Sequence, residues 1–168
     1  MLTRRKILVF GSLMGLSSWL QAKSRASIDR KVNTKVKRTI AAVQEHLFPS
    51  NSKIPSAKMM HANTFLLETI SHKSYDKDIR RFVLEGAKEL EVREKGLFTT
   101  LSKEDKERAL REYEETNYGS SWLSRIMTLT MEGIFSDPIY GSNKNEKGWQ
   151  AIKSFGGQPR PNTRYLDV

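Results

Sequence analysis

Apolar residues recur at steps of three and four along the first part of the chain's body. They are Ile28, Val32, Val36, Ile40, Val43 and Leu47. Because an α-helix turns once every 3.6 residues, this spacing places all of them on one helical face. The pattern predicts an amphipathic helix that ends near Phe48-Pro49, since proline cannot continue a helix.

Similar patterns predict four more helices downstream. One spans about Met59 to Ile70, and a third begins at Asp76 or Asp78 and ends near Gly96. A fourth follows Ser102, whose spacing to Asp105 approximates a capping box, and a fifth runs from about Ser120 to Gly133. No stretch shows the alternation typical of a strand, so we predict an all-α fold. It is a bundle of about five helices with short connections, over residues 27–134.

The amino-acid composition of the chain changes after Gly133. Glycine, proline and aromatic residues are interleaved over residues 135–168, with large rings at Phe135, Tyr140 and Trp149. In a free tail these rings would stay in water, which is unfavourable. We therefore expect an irregular C-terminal segment that packs either on the bundle itself or on a partner protein, where tyrosine and tryptophan are favoured anchors.

Residues 1–26 have the three-part pattern of an export signal. A charged start precedes an apolar run of 14 residues from Ile7 to Leu20, and a polar, small-residue stretch follows it. The run is shorter than the roughly 20 residues that a spanning helix needs, so the pattern favours a signal peptide over a membrane anchor. Cleavage after Ala22 and cleavage after Ala26 are both compatible with the sequence.

The paired residues Arg4 and Arg5 resemble the twin-arginine motif, which directs folded proteins across the bacterial inner membrane. The motif's usual phenylalanine is replaced by Ile7, and its lysine by Val9. A general secretory signal that happens to contain two arginines is the alternative. Both interpretations predict export, and folded export typically serves proteins that load a cofactor in the cytoplasm.

Charge indicates little about the partner. The formal charge of +10 falls to +5 once the five basic residues before residue 27 are set aside. A further basic group comprises Arg30, Lys31, Lys35, Lys37 and Arg38. We interpret it as a solvated helix face, with an acidic partner or lipid head groups as the alternative. No nucleic-acid-binding signature is present, so nucleic acid is not expected as a partner.

The sequence lacks the usual motifs of an independent enzyme. Without cysteine the chain has no disulfide, Cys-ligated zinc, iron–sulfur cluster or covalently attached c-type haem. It has no G-x-G-x-x-G after a strand, no H-E-x-x-H and no G-x-S-x-G. The histidines are scattered, and His46 is expected at the surface or the core edge. We therefore predict no catalytic, cofactor-binding or metal-binding residue in this chain.

The C-terminal segment carries a more specific signal. Residues Gly133 to Asn143, GIFSDPIYGSN, are followed by Gly148-Trp149 and Phe155-Gly156-Gly157. This series resembles the ending of the gluconate 2-dehydrogenase subunit 3 family, F-x-D-P-x-Y-G-G-N, then G-W, then aromatic-Pro-Gly. Upstream, Leu47-Phe48-Pro49 with Pro55-Ser56-Ala57, and Phe98 to Ser102, also resemble the family, so that the likeness spans about residues 38–160. The departures are Ser142 and Ser56 for glycine, Gly156 for proline, and Asn145 near a usually acidic position.

The resemblance implies a non-catalytic small subunit of a periplasmic dehydrogenase complex, at the outer face of the inner membrane. The expected partner is a large FAD-containing subunit of the glucose–methanol–choline type, which oxidises sugars, sugar acids or polyols. A cytochrome c subunit often relays its electrons. The small subunit would carry the export signal for the pair, engage the twin-arginine translocase transiently, and assist maturation and stability of the large subunit.

The candidate partner interface is taken from the segment that carries the resemblance. Its residues are Phe135, Asp137, Pro138, Tyr140, Gly141, Asn143 and Trp149. We further expect Asp137 to cap a turn, Asn143 to satisfy backbone groups and Gly141 to adopt a positive φ. The alternatives to this function are a free periplasmic binding or structural protein on the same scaffold, and an independent enzyme assembled from scattered residues.

Overall fold

The structure, a computed structural model, describes residues 34–164. Every regular element within this range is helical, and none of these residues forms a strand. The predicted all-α class is therefore confirmed. The proposed signal peptide with Arg4 and Arg5, its cleavage sites, and the beginning of the first predicted helix lie outside the described residues.

Six α-helices make up the described fold. They are α1 (residues 34–47), α2 (Ala62–Ser71), α3 (Lys77–Arg93), α4 (Lys103–Glu114), α5 (Asn117–Phe135) and α6 (Lys147–Ala151). Short 3₁₀ turns occupy Phe98–Thr100, Pro138–Tyr140 and Lys144–Glu146. The first five helices correspond to the predicted five, whereas α6 lies in the segment that was expected to be irregular. Within residues 34–164 no helix is both long and apolar enough to cross a bilayer.

Capping residues explain where the helices begin. Asp76 and Ser102 are the N-caps of α3 and α4, as expected from the sequence. The predicted start of α2 at Met59 was wrong, because His61 adopts a left-handed backbone with φ 55° and the helix begins after it. The predicted start of α5 at Ser120 was also wrong. The hydroxyl of Thr116 accepts a hydrogen bond from the Gly119 amide at 2.9 Å, so α5 begins at Asn117.

Helix α5 lies at the centre of the bundle, where it packs against α2, α3 and α4. The side chain of Trp122 on α5 is completely buried, and its Nε1–H donates to the carbonyl oxygen of Val83 at 2.9 Å. A Cβ at Gly86 would lie 2.1 Å from Cδ1 of Trp122, so the indole rests directly on the α3 backbone. The Tyr113 hydroxyl on α4 donates to the Gly86 carbonyl at 3.2 Å. Three helices therefore meet at one glycine.

Helix α1 joins the bundle through an apolar stripe and a buried polar chain. Val36, Ile40 and Val43 are buried, as the periodicity predicts. The amide nitrogen of Gln44, which is 1% exposed, donates to Oγ1 of Thr130 on α5 at 2.9 Å. Asn63 on α2 in turn donates to Oε1 of Gln44 at 3.0 Å.

The basic side of α1 faces solvent over the part that the structure describes. The residues concerned, Lys35, Lys37 and Arg38, are all exposed. This exposure is compatible with a solvated face and with an acidic partner or lipid head groups, so the solvated face stays a prediction. Arg30 and Lys31 lie outside the described range.

Replacing Gly86 with alanine tests the three-helix contact. Helix propensity alone would favour alanine by about 1 kcal/mol. The collision with the indole of Trp122 overrides this gain, so we expect the free energy of unfolding to fall by about 2 kcal/mol. Urea unfolding of the purified chain measures the change. Gly157→Ala is the matched control because no atom lies within 4 Å of its Cβ position. Equal stability of the two variants would contradict the predicted contact.

Candidate partner interface

Helix α5 ends at Phe135, where its last carbonyl groups have no partner within the helix. Side chains of the segment that follows supply donors. Ser136 Oγ donates to the carbonyl oxygen of Gly133 at 3.2 Å, and Trp149 Nε1–H donates to that of Phe135 at 2.7 Å. Asn143 Nδ2 donates to the carbonyl oxygen of Ser136 at 2.8 Å. The C-terminal segment thus closes the end of the central helix.

Asn143 holds this closure from the inside. Its side chain is fully buried, and its Oδ1 accepts a hydrogen bond from the Gly148 amide at 2.8 Å. Gly148 lies so close to α5 that a Cβ there would be 2.1 Å from the carbonyl oxygen of Ile134. The expected role of Asn143 in satisfying backbone groups is confirmed, and the glycine before Trp149 has a steric explanation.

The turn between Phe135 and Asn143 is built from local preferences. The carboxylate of Asp137 accepts a hydrogen bond from the Ile139 amide at 3.0 Å, and Pro138 occupies the first position of the 3₁₀ turn. Gly141 ends the turn with φ 81°. The expectations for Asp137 and Gly141 are confirmed. Ser142, which departs from the family pattern, is buried, and its hydroxyl meets that of Ser136 at 2.6 Å.

The three aromatic anchor candidates all pack on the chain itself. The indole of Trp149 is buried, and Phe135 packs against the cluster of Ala57, Met60, Ala62 and Ile134. The half-buried ring of Tyr140 meets Phe65 of α2 edge-on, with centroids 6.4 Å apart. Of the two alternatives left open by the sequence, the structure shows packing on the bundle for these rings. A contact with a partner through any of them stays a prediction.

Arg160, near the end of the described residues, holds the segment through contacts with Asp137, Glu146 and Trp149. Its Nε donates to Oδ2 of Asp137 at 2.6 Å, and a terminal nitrogen donates to Oε1 of Glu146 at 3.1 Å. The guanidinium also lies over the indole of Trp149, 4.7 Å from its centroid. Beyond it, Arg164 pairs with Glu68 of α2. Sequence reasoning missed Arg160, because nothing local indicates a partner 23 residues away.

In the part of the segment that ends at residue 164, two large apolar side chains are mainly exposed. Phe155 is 82% exposed and Ile152 is 51% exposed, one on each side of Lys153. The sequence reasoning quoted Phe155 for its resemblance but did not count it among the anchors. Both residues follow the three predicted anchors Phe135, Tyr140 and Trp149 in the chain.

Away from the C-terminal segment, a pair of side chains joins the first helix to the fourth. His46 Nε2 lies 2.6 Å from Oε2 of Glu107 and joins α1 to α4, and this bond lowers the pKa of the Glu107 carboxyl. The His46 side chain is 9% exposed, which confirms its position at the core edge. A groove of about 530 Å³ beside it is lined by residues that include Lys103 and Lys106. In residues 34–164 no three His, Asp or Glu side chains come together in a group that could hold a metal ion.

Replacing Asn143 with glycine tests the closure of α5. Glycine keeps the left-handed backbone, φ 46° in the structure, but removes both side-chain hydrogen bonds. Leaving the Ser136 carbonyl and the Gly148 amide unpaired should lower the free energy of unfolding by about 2 kcal/mol. Asn145→Gly is the matched control, since Asn145 is exposed and has φ 54°. If both variants unfold at the same urea concentration, the closure has no energetic role.

The hydrogen bond from Arg160 to Asp137 also leads to a prediction about how the stability of the fold depends on pH. This hydrogen bond is the largest cause that holds the pKa of Asp137 below its ordinary value of 3.8. Asp137 therefore stabilises the fold above pH 4 or so, and this contribution is lost as the pH falls through its lowered pKa. In the Arg160→Met variant, the Asp137 carboxyl loses this hydrogen bond, which is the largest cause of its lowered pKa. We expect the urea midpoint of the variant to lie below that of the wild type at pH 7, and the gap between the two midpoints to narrow as the pH falls below 3.8. A gap of constant size would contradict the assignment.

Comparison with known proteins identifies the family. The family model described as gluconate 2-dehydrogenase subunit 3 matches residues 35–157, which run from α1 through α6 to Gly157. Searches among curated proteins and among solved structures found no match. The matched range covers most of the 168 residues and includes the whole closure of α5. The chain therefore belongs to the gluconate 2-dehydrogenase subunit 3 family.

Proposed function

We propose that this chain is the non-catalytic accessory subunit of a periplasmic FAD-dependent dehydrogenase complex that oxidises sugars, sugar acids or polyols. The observation that carries the proposal is the family match over residues 35–157. The large subunit, of the glucose–methanol–choline type, performs the chemistry. The small subunit contributes binding, and it assists maturation, export and stability of its partner.

The described residues do not fit the flavin cofactor itself. A dinucleotide is usually held by a glycine-rich turn between a strand and a helix, with the pyrophosphate at the helix N-terminus. Residues 34–164 contain no strand, so this arrangement has no counterpart among them. We therefore assign FAD to the catalytic subunit and derive no chemical step through this chain.

Binding alone is sufficient for a stabilising role. A subunit that binds only the folded form of its partner shifts the folding equilibrium of that partner by mass action. At a free concentration 100 times the dissociation constant, the shift is about 2.7 kcal/mol. A rigid docking surface makes this gain larger, since less flexibility is lost on binding. The closure of α5 by Asn143 and Trp149 provides such rigidity at the C-terminal segment.

The export signal completes the proposal. Arg4 and Arg5 direct the folded pair to the twin-arginine translocase, so that the catalytic subunit receives FAD in the cytoplasm and crosses with its small subunit. The complex then works at the outer face of the inner membrane. Where a cytochrome c subunit joins it, that subunit passes electrons to the respiratory chain.

Replacing both Arg4 and Arg5 with lysine tests the shared export. Most of the dehydrogenase activity is expected to move from the periplasmic to the cytoplasmic fraction, because the partner depends on this signal. Cell fractionation with an activity assay measures the distribution. Lys23→Gln, which removes a basic residue outside the arginine pair, is the matched control and should leave export unchanged. Normal periplasmic activity in the double-lysine variant would overturn the shared export. A chain that purifies from the periplasm as a monomer without a flavoprotein would favour the free periplasmic protein instead.

A further inference from the structure

Among residues 135–164, the large apolar side chains that are mainly exposed are Ile152 and Phe155, one on each side of Lys153-Ser154. We call these two residues the Phe155 patch. The Phe155 side chain is 82% exposed and Ile152 is 51% exposed. Large aromatic side chains are favoured anchors where one protein binds another, and Phe155 has the largest exposed fraction among the large apolar side chains that the structure describes. The other rings of the segment that the structure describes, Phe135, Tyr140 and Trp149, already pack on the chain itself.

The backbone under the patch is fixed by Trp149. The amides of Ile152 and Ser154 both donate to the Trp149 carbonyl oxygen, at 3.1 and 2.9 Å. On the far side of Phe155, Gly156 lies against the indole, where a Cβ would be 2.3 Å from Cη2 of Trp149. Arg160 holds the same indole from further along the chain. The patch is therefore ordered before it meets a partner, and little backbone freedom is lost on binding.

Three lysines of the same segment are exposed. Lys144, Lys147 and Lys153 form no ion pair with any carboxylate in residues 34–164. Up to residue 164, where the described part of the chain ends, the acids of the segment are Asp137 and Glu146, and Arg160 pairs with both. The patch thus presents two apolar side chains in a positively charged setting. Its complement is an apolar pocket with an acidic rim.

The patch also falls within the part of the chain that the family shares. The family match ends at residue 157, two residues beyond Phe155, and leaves out the tail that follows. We propose that Ile152 and Phe155 insert into an acid-rimmed apolar pocket on the catalytic dehydrogenase subunit. This inference rests on the proposed function and assigns the docking surface that the proposed function requires.

A lipid surface is a less suitable occupant. Binding in the plane of a membrane generally uses an amphipathic helix with an extended apolar face. The helix beside the patch, α6, has only five residues, and its buried Trp149 faces the bundle. Two protruding side chains on a short turn match a pocket in a protein better than they match a bilayer interface.

The experiment compares the affinities of variants of the full chain for the dehydrogenase subunit with which the wild type co-purifies. Phe155→Ser should weaken binding by about tenfold or more, and Ile152→Ser by less, because hot-spot contacts are concentrated in large aromatic side chains. Val92→Ser is the matched control, since Val92 is 78% exposed and lies on α3. It should bind as the wild type does. Because Phe155 and Val92 are mostly exposed, the urea midpoints of Phe155→Ser and Val92→Ser should equal that of the wild type.

A charge variant tests the acidic rim. Lys147→Glu combined with Lys153→Glu should slow association and reduce its dependence on salt, because exposed charges steer the encounter of two proteins. Unchanged association kinetics would exclude the acidic rim.

The outcomes separate this inference from the function on which it rests. If the wild-type chain binds no flavoprotein dehydrogenase, the proposed function fails. If the wild type binds, and Phe155→Ser binds as tightly as Val92→Ser, the docking surface alone is overturned. Sedimentation of the isolated chain with phosphatidylglycerol vesicles provides the last comparison. If Phe155→Ser abolishes vesicle binding but leaves binding to the dehydrogenase intact, the patch contacts lipid and the proposal is wrong.

Discussion

The end of helix α5 imposes the constraint on which the C-terminal half of the structure depends. A buried helix end leaves carbonyl groups without donors, and such groups are costly unless something bonds to them. Here the donors come from side chains that follow in sequence, Asn143 and Trp149, and these must be brought back to the helix by a tight turn. The turn requires its own cap at Asp137 and its own glycine at 141. The residues that resemble the family pattern are therefore explained first by the folding of this chain.

The bundle before that closure depends on close approach between helices. Trp122 fits because Gly86 has no side chain, and α3, α4 and α5 share hydrogen bonds at that point. Gln44 then links α1 to α2 and α5 with a chain of buried polar bonds. The central helix is thus held along its length by packing and at its end by capping. A rigid platform of this kind is what a subunit that acts by binding needs.

The sequence predicted the helices better than it predicted the surface. Periodicity and caps located the first five helices, because apolar spacing and residues such as Asp76 and Ser102 act locally. The predicted starts of α2 and α5 were wrong for two different reasons. The left-handed backbone of His61 places the start of α2 after it, and Thr116 caps α5 before the apolar pattern begins. For the candidate site, the roles of Asp137, Gly141 and Asn143 were predictable from local chemistry. The burial of Trp149 and the exposure of Phe155 were not, because both depend on how the segment folds back, and Arg160 acts across 23 residues.

Arg160 attaches the last described part of the chain to the rest of the fold. The family match ends at residue 157. Asp137, Glu146 and Trp149 lie within the matched range. The cation that contacts all three, Arg160, lies beyond it. A chain ending at residue 157 would keep Asp137 and Glu146 but lack the guanidinium that pairs with both, so two carboxylates would lose their counter-charge together.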